Sequence, residues 1–456
     1  MAIIQQEKTE HPQRIDVHGF VDNAEFSQYQ RFLLGLCFFA TFIDGFDTQA
    51  VAVAGPMLRL EMALQPAQLG AIFATTMLGG IVAAFAMAPY ADRIGRRPLL
   101  IISLLISAAL SAGHALAGTF SQLLALRLGA GMALGVAVTV TYAYAAEVAP
   151  KRASATAVMV VSAGFGLGVA ATGFIAAWLI PESGWRSVFY VGGAATLMLC
   201  VLLMAVLPES VRFMAQRSGQ DSEIRRILKR IDPHASFPNL ATFISSEDTK
   251  TKIGLANVLA SGRAHIAIPL WISTFLVAFV IYVLMQWLPI FVDSAGATAF
   301  RTSASVGWFK LGGVFGGFIC AACIERTHNP YTVLLTFLVL ACTGFAGMVA
   351  APVGGDMFML SVIISGVFLN GPLYASNGLI GRLFPTHART GGLAITAGVG
   401  RVGALTGPFI IGLLLQSGWS ARQVFRAVPI PVLLALGLVA GLGLRERAAV
   451  QRGSST

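Results

Sequence analysis

The chain has 456 residues, of which 56% are hydrophobic and only 11% charged, with a formal net charge of +10. Soluble domains carry about 25% charged residues, so this deficit excludes an ordinary soluble protein and points to many membrane-spanning helices. The basic excess reads as membrane topology, because no RNA-binding signature or basic-aromatic interleaving accompanies it.

Residues 1–30 are mostly polar, and the first apolar run is too long for the core of a signal peptide; a cytoplasmic tail is expected here. A bilayer crossing needs about 20 mostly apolar residues. Twelve stretches meet that requirement: 31–55, 67–90, 99–118, 121–146, 154–180, 187–207, 266–292, 300–323, 331–351, 356–381, 391–416 and 423–444. The longest polar interruption, 208–265, contains nine Lys and Arg and divides the spans six and six. The expected organisation is a tail (1–30), a six-helix half (31–207), a cytoplasmic loop (208–265), a second six-helix half (266–444) and a short tail (445–456).

Orientation follows from the distribution of basic residues. With the N-terminus inside, Arg93, Arg96, Arg97, Lys151, Arg152, the central loop, Arg326, Arg382 and Arg389 fall inside. The outer loops then hold only Arg59, Arg186, Arg301, Arg422 and Arg426. The halves also repeat. LGGIVAAFAMAPYADRIGRRP (78–98) aligns with LGGVFGGFICAACIERTHNP (311–330), and EVAPKRASATAV (147–158) with RLFPTHARTGGL (382–393). Two parallel six-helix repeats with a ligand between them are a transporter arrangement.

Span 1 raises the sharpest question. It carries Asp44 and Asp47 in LCFFATFIDGFDTQAVAVA (36–54), and each charge costs about 2.5–3.5 kcal/mol at mid-bilayer on insertion scales. Spaced i, i+3, the two share a helix face, about 20 and 24 Å into the span by helical rise. Arg127 enters span 4 from the other side and lies about 9 Å in, close to Asp47 in depth. One reading is purely structural, an ion pair across spans 1 and 4 that offsets desolvation. The other is functional: two acids close together in low dielectric do not both ionise readily, and a carboxyl that changes protonation between the two sides carries protons. The deeper placement favours Asp44 for that role.

In the second half, Lys310 (GWFKLGG) and Arg401 (GVGRVGA) fall near mid-span, with glycines that let a ligand approach. They read either as structural cations or as a cradle for a substrate carboxylate, Arg401 offering bidentate geometry. Tyr142, Tyr144, Tyr282, Gln286, Trp287, Asn370, Tyr374 and Asn377 suit a hydroxylated aromatic ring as a set, although each taken alone reads rather as a packing residue or interface anchor. His114 and His387 read as structural, and Cys320 and Cys323 as apolar packing residues rather than a metal or redox pair. No Walker loop, Ser-His-Asp set or metal cluster occurs in the sequence, so neither catalysis nor a cofactor is expected.

ADRIGRRP (91–98), between spans 2 and 3, resembles the loop motif of the major facilitator superfamily. RLGAGMALG (127–135), EVAPKR (147–152), GWRSVFYVGG (184–193) and LPES (207–210) extend the resemblance in order along the chain. It implies an all-α fold of twelve helices in two pseudo-symmetric halves, and a conformational latch at Asp92, Arg93, Arg97 and Glu147, with Arg389 in the second half. The motif's usual leading Gly is Ala88 here, and ERTHNP (325–330) lacks the paired basic residues.

DGFD, the lead-in IDVHGFVDNAEFSQYQRF (15–32), and FPTHARTGG with GVGRVGALTGP further on are similar to the aromatic acid:proton symporter branch of that superfamily. That resemblance implies functional charges at Asp44, Asp47, Arg127, Glu147, Arg389 and Arg401. It also implies uptake of a benzoate- or hydroxybenzoate-type carboxylate with protons, by a monomer in a bacterial inner membrane. Substrate contacts are expected from Arg401, Lys310, Arg127, Tyr142, Gln286, Trp287, Asn370 and Tyr374. The alternatives are an exporter, which span 5 disfavours by lacking a Gly-Pro signature, and a sugar-type importer, which has no need of a basic cavity. A transporter-like sensor is a third, disfavoured by a central loop too short for an output domain.

Overall fold

The computed structural model describes residues 14–217, 219–238, 241–245, 264–327, 329–383 and 386–453; within these, the side chains of 85, 87–89, 91–92, 374–383, 386–390 and 445–453 are not described. A short strand β1 (Arg14–Asp16) and helix α1 (Val17–Asn23) precede the first half. That half comprises α2 (Gln28–Glu61), α3 (Pro66–Ile94), α4 (Arg96–Leu116), α5 (Phe120–Val148), α6 (Lys151–Ser183) and α7 (Arg186–Val206). Helices α8 (Val211–Ala215) and α9 (Asp221–Ile231) and strand β2 (Thr242–Ile244) lie in the connecting segment. The second half comprises α10 (Ala264–Ser294), α11 (Ala299–Thr327), α12 (Pro330–Ala350), α13 (Asp356–Leu383), α14 (Thr386–Gln416), α15 (Ala421–Ala427) and α16 (Pro429–Gly453). Among the described residues, twelve segments are long and apolar enough to cross a membrane, the last running from Ala421 to Leu444 across α15 and α16.

The helices overrun the apolar stretches because their caps lie in the polar flanks. α2 begins at a capping box, in which Ser27 accepts from the Gln30 amide and the Gln30 side chain accepts from the Ser27 amide. Gln30 is fully buried and also donates Nε2 to the Val148 carbonyl at 2.8 Å, fastening the start of α2 to the end of α5.

The two halves repeat one packing scheme. α2 packs on α6 as α10 packs on α14, α3 on α5 as α11 on α13, and α4 on α7 as α12 on α16. Contacts this close need glycine. A Cβ on Gly45, the glycine of DGFD, would run into the backbone carbonyl of Phe165, and one on Gly168 into that of Phe42. Gly45→Ala is therefore expected to push α2 off α6 and cut the amount of folded carrier in the membrane more than about tenfold, since a neighbouring backbone cannot yield as a side chain does. Immunoblotting of membranes checks this, and native levels would show that the helices can separate freely.

The halves meet along α6–α11, α3–α14 and α2–α10. The closest approaches cluster towards one face. Gly70 meets Gly412 and the Pro408 carbonyl, Gly173 meets Gly307, Gly55 faces Ile290, and the Gln416 side chain accepts from the Ala67 amide. This is the face of the α2–α3 and α10–α11 loops, opposite the connecting segment.

The connecting segment has a structure that its composition did not announce. β1 pairs with β2 in parallel, Ile15 opposite Phe243, and Val17, Val21, Val211, Met214, Ile224, Ile227, Leu228 and Ile231 form a small separate core. Asp22 accepts from the Lys151 amide at 3.1 Å and pairs with Arg212 at 3.3 Å, joining this subdomain to the start of α6. The described parts of the N-terminal segment and the central loop are thus one unit, seated on the first half.

Candidate functional site

Asp44 and Asp47 share a face of α2 but have different surroundings. Asp47 is 2% exposed and Arg127 fully buried. Arg127 Nη1 donates to the Asp47 carboxylate and to its main-chain carbonyl, both at 3.1 Å. Both atoms lie on one helical turn, so a single guanidinium nitrogen clamps the side chain and backbone of α2 together. Asp44 is partly exposed, and among the described residues it makes no hydrogen bond or ion pair. Among the described residues, Asp47 and, from the other half, Arg401 stand within electrostatic reach of it.

Arg401 is partly exposed midway along α14 and makes no ion pair among the described residues. Lys310 is 4% exposed on α11. Its Nζ donates to Asn370 Oδ1 at 3.0 Å and lies 5.9 Å from the ring centroid of Phe165, a residue of the first half. Asn370 donates its amide to the Gly366 carbonyl at 2.9 Å, which turns Oδ1 towards the lysine. Close packing of Asn370 on Gly313 permits this reach. Among the described residues, no carboxylate lies within ion-pair distance of Lys310. The second half thus presents two cations towards the first half, where Asp44 and Phe165 stand.

The remaining expected residues separate. Arg127 and Trp287 are enclosed rather than set on a cavity wall: Arg127 is taken up by Asp47, and Trp287 donates Nε1 to the Pro408 carbonyl at 3.0 Å. Gln286 is buried, and its Oε1 has no partner among the described residues. Tyr144 donates to the Pro208 carbonyl at 3.1 Å, whereas Tyr142 and Tyr282 are partly exposed. The side chains of Asp92, Tyr374, Asn377, His387 and Arg389 lie outside the described residues.

The latch motif is organised around a residue the sequence reading passed over. Gly95 adopts φ 110°, a left-handed conformation suited to glycine, and turns the chain sharply into α4. The carboxylate of Glu209, from LPES, then accepts from the amides of Arg96 and Arg97 at 3.0 and 3.2 Å, capping the positive end of α4. Arg96 donates to Glu147 at 3.0 Å, and Arg97 donates to the Met204 carbonyl at 2.6 Å. Arg93 is exposed, and its carbonyl accepts from Arg217. All these contacts fall within the first half and its attached subdomain. Glu209→Ala is expected to remove about 1 kcal/mol of stability, read as a lower melting midpoint of the purified carrier; an unchanged midpoint would deny the cap. An acid following the sixth span was the available signal.

The family model of the Major Facilitator Superfamily matches residues 37–356 and 270–455. The chain belongs to the major facilitator superfamily. Its curated relatives include the 4-hydroxybenzoate transporter PcaK of Pseudomonas putida, 31% identical over 427 residues that cover 92% of this chain and 94% of that protein. The gallate transporter of Pseudomonas putida is 32% identical over 436 residues, covering 95% and 96%. Among solved structures, a bacterial homologue of the human lysosomal transporter Spinster, inward-facing and unoccupied, matches with a TM-score of 0.69 at 16% identity, covering 92% of this chain and 98% of that one. The xylose transporter XylE from E. coli, in a partially occluded inward open form, matches at 0.68 and 18% identity, covering 91% and 97%. The superfamily membership expected from ADRIGRRP is established on these grounds, and family and fold together make the chain a multi-pass membrane transporter rather than an enzyme.

Proposed function

We propose that this carrier imports an aromatic carboxylate together with protons across a bacterial inner membrane, as a monomer with both termini in the cytoplasm. The observation that carries the reading is the asymmetry of the two aspartates. Asp47 is held by Arg127, whereas Asp44 has no ion pair among the described residues, is partly exposed and lies within electrostatic reach of Arg401 of the opposite half. The names of the relatives, transporters of 4-hydroxybenzoate and gallate, supply the substrate class. The excess of Lys and Arg on the subdomain side supports the orientation; with that side cytoplasmic, the tight contacts of the opposite face close the carrier to the outside.

In the proposed cycle, Asp44 takes a proton while the cavity faces outwards. Neutralising Asp44 frees Arg401 to hold the incoming carboxylate in bidentate geometry. Lys310, steered by Asn370, adds a second positive contact, and Phe165 offers a ring face. Rocking of the halves along α6–α11 and α3–α14 exposes the site to the cytoplasm, where anion and proton leave and the Asp44 charge again faces Arg401. Arg127 and Asp47 stabilise the first half rather than touch substrate, and Asp92, Arg93, Arg97, Glu147 and Arg389 serve the inner latch.

Uptake of a panel of labelled benzoate derivatives by cells lacking their own carriers, with and without an uncoupler, tests this reading. Accumulation of hydroxylated benzoates that collapses with the uncoupler is expected. Flat uptake across the panel would return the protein to an exporter or a sugar-type importer.

A further inference from the structure

One buried cluster in the first half has unfinished hydrogen bonding. Among the described residues, Oδ1 of Asp47, Nε and Nη2 of Arg127 and Nε2 of His114 all lack a protein partner. The three residues stand on α2, α5 and α4, and none is more than 2% exposed. His114 and Arg127 meet at Phe189 of α7. The His114 ring stacks on it with centroids 5.3 Å apart and planes 8° from parallel, and the Arg127 guanidinium carbon lies 5.7 Å from the same centroid. His114 lies within electrostatic reach of both Arg127 and Asp47.

The tautomer follows from one contact. His114 Nδ1 is 2.6 Å from the Leu110 carbonyl oxygen, which can only accept. Nδ1 therefore carries the hydrogen, and in the neutral ring Nε2 is an acceptor. The unmet atoms then complement one another: donors at Nε and Nη2 of Arg127, acceptors at Nε2 of His114 and Oδ1 of Asp47. Groups of this kind do not stay unmet in a protein interior, where a water commonly bridges two to four of them.

We infer that His114 is a positioning residue for the Asp47–Arg127 pair, its Nε2 linked through a buried water to the guanidinium edge that Asp47 leaves unmet. This anchors Arg127 on Asp47 and keeps its charge away from Asp44, one helical turn along α2. Asp44 alone is then left to exchange the proton, a consequence that rests on the proposed function; the anchor itself does not.

Two substitutions separate an anchor from ring packing. His114→Phe keeps a ring against Phe189 but removes the acceptor, and His114→Gln does the reverse. The expected result is that His114→Phe lowers the maximal uptake rate about tenfold with KM within about twofold, the loss of one buried charge-assisted hydrogen bond, while His114→Gln keeps most of the native rate. His114→Leu is the second apolar variant, should the phenyl ring prevent insertion. In purified protein, the apolar variants are also expected to melt about 3 °C or more below native and His114→Gln closer to it. An apolar variant with native rate and melting point, or a His114→Gln carrier as impaired as the apolar ones, would overturn the anchor. The melting comparison needs no substrate, so it stands even if proton-coupled uptake is refuted.

Discussion

Asp44→Asn is expected to lower the accumulation ratio of an aromatic acid to about one while leaving exchange of internal for external substrate measurable. An anion imported with one proton is electroneutral and driven by the pH difference, and each pH unit supplies about 1.4 kcal/mol, a tenfold accumulation. Any further proton adds about 2.3 kcal/mol per 100 mV of membrane potential. Asparagine keeps the shape and neutrality of a protonated aspartate but cannot ionise, so it permits substrate-loaded rocking and removes the link to the proton gradient. The contrast with Asp47 sharpens the test. Asp47→Asn strips the counter-charge from a fully buried Arg127, a change that costs about 3–5 kcal/mol in other buried pairs, so it should reduce the amount of folded carrier rather than its coupling. Uptake and counterflow in proteoliposomes distinguish the two. An Asp44→Asn carrier that still accumulates substrate as the native protein does would end the carrier role of Asp44.

Arg401→Ala is expected to raise KM about 10- to 150-fold, the loss of charge-assisted hydrogen bonds worth about 1.5–3 kcal/mol. Arg401→Lys should recover part of it, because an ammonium keeps the charge but not the fork. Protein levels should stay near native, since Arg401 makes no ion pair among the described residues and is partly exposed. Lys310 is more enclosed, so Lys310→Met should show a smaller rise in KM. The measurement is the concentration dependence of initial uptake; an Arg401→Ala carrier with native KM would place the carboxylate elsewhere.

Much of this protein was legible in one dimension because the bilayer makes it so. With no water at membrane depth, backbone groups must bond within their own helix, so a run of apolar residues already predicts a helix, and twelve such runs predict twelve. Lys and Arg fall unevenly between alternate loops, which gives an expected orientation, and DGFD stands out because charge at membrane depth is costly.

The site was legible as a list of charges but not as a circuit. That Asp47 rather than Asp44 meets Arg127 depends on which way a single helical turn faces α5, a rotation set by the close packing of Gly45 and Gly168 between α2 and α6. The amides of α4 are capped by Glu209, more than a hundred residues away, with Glu147 held by Arg96 instead of by Arg93 or Arg97. The N-terminal strand joins the central loop through Ile15 and Phe243, a pairing no local pattern encodes. Sequence by itself determined the number of membrane-spanning segments and which residues place charge at membrane depth, because hydrophobicity and charge act residue by residue. Only the tertiary structure decided which charges meet and which, among the described residues, is left unpaired, because pairing depends on distances of a few ångströms between helices far apart in the chain.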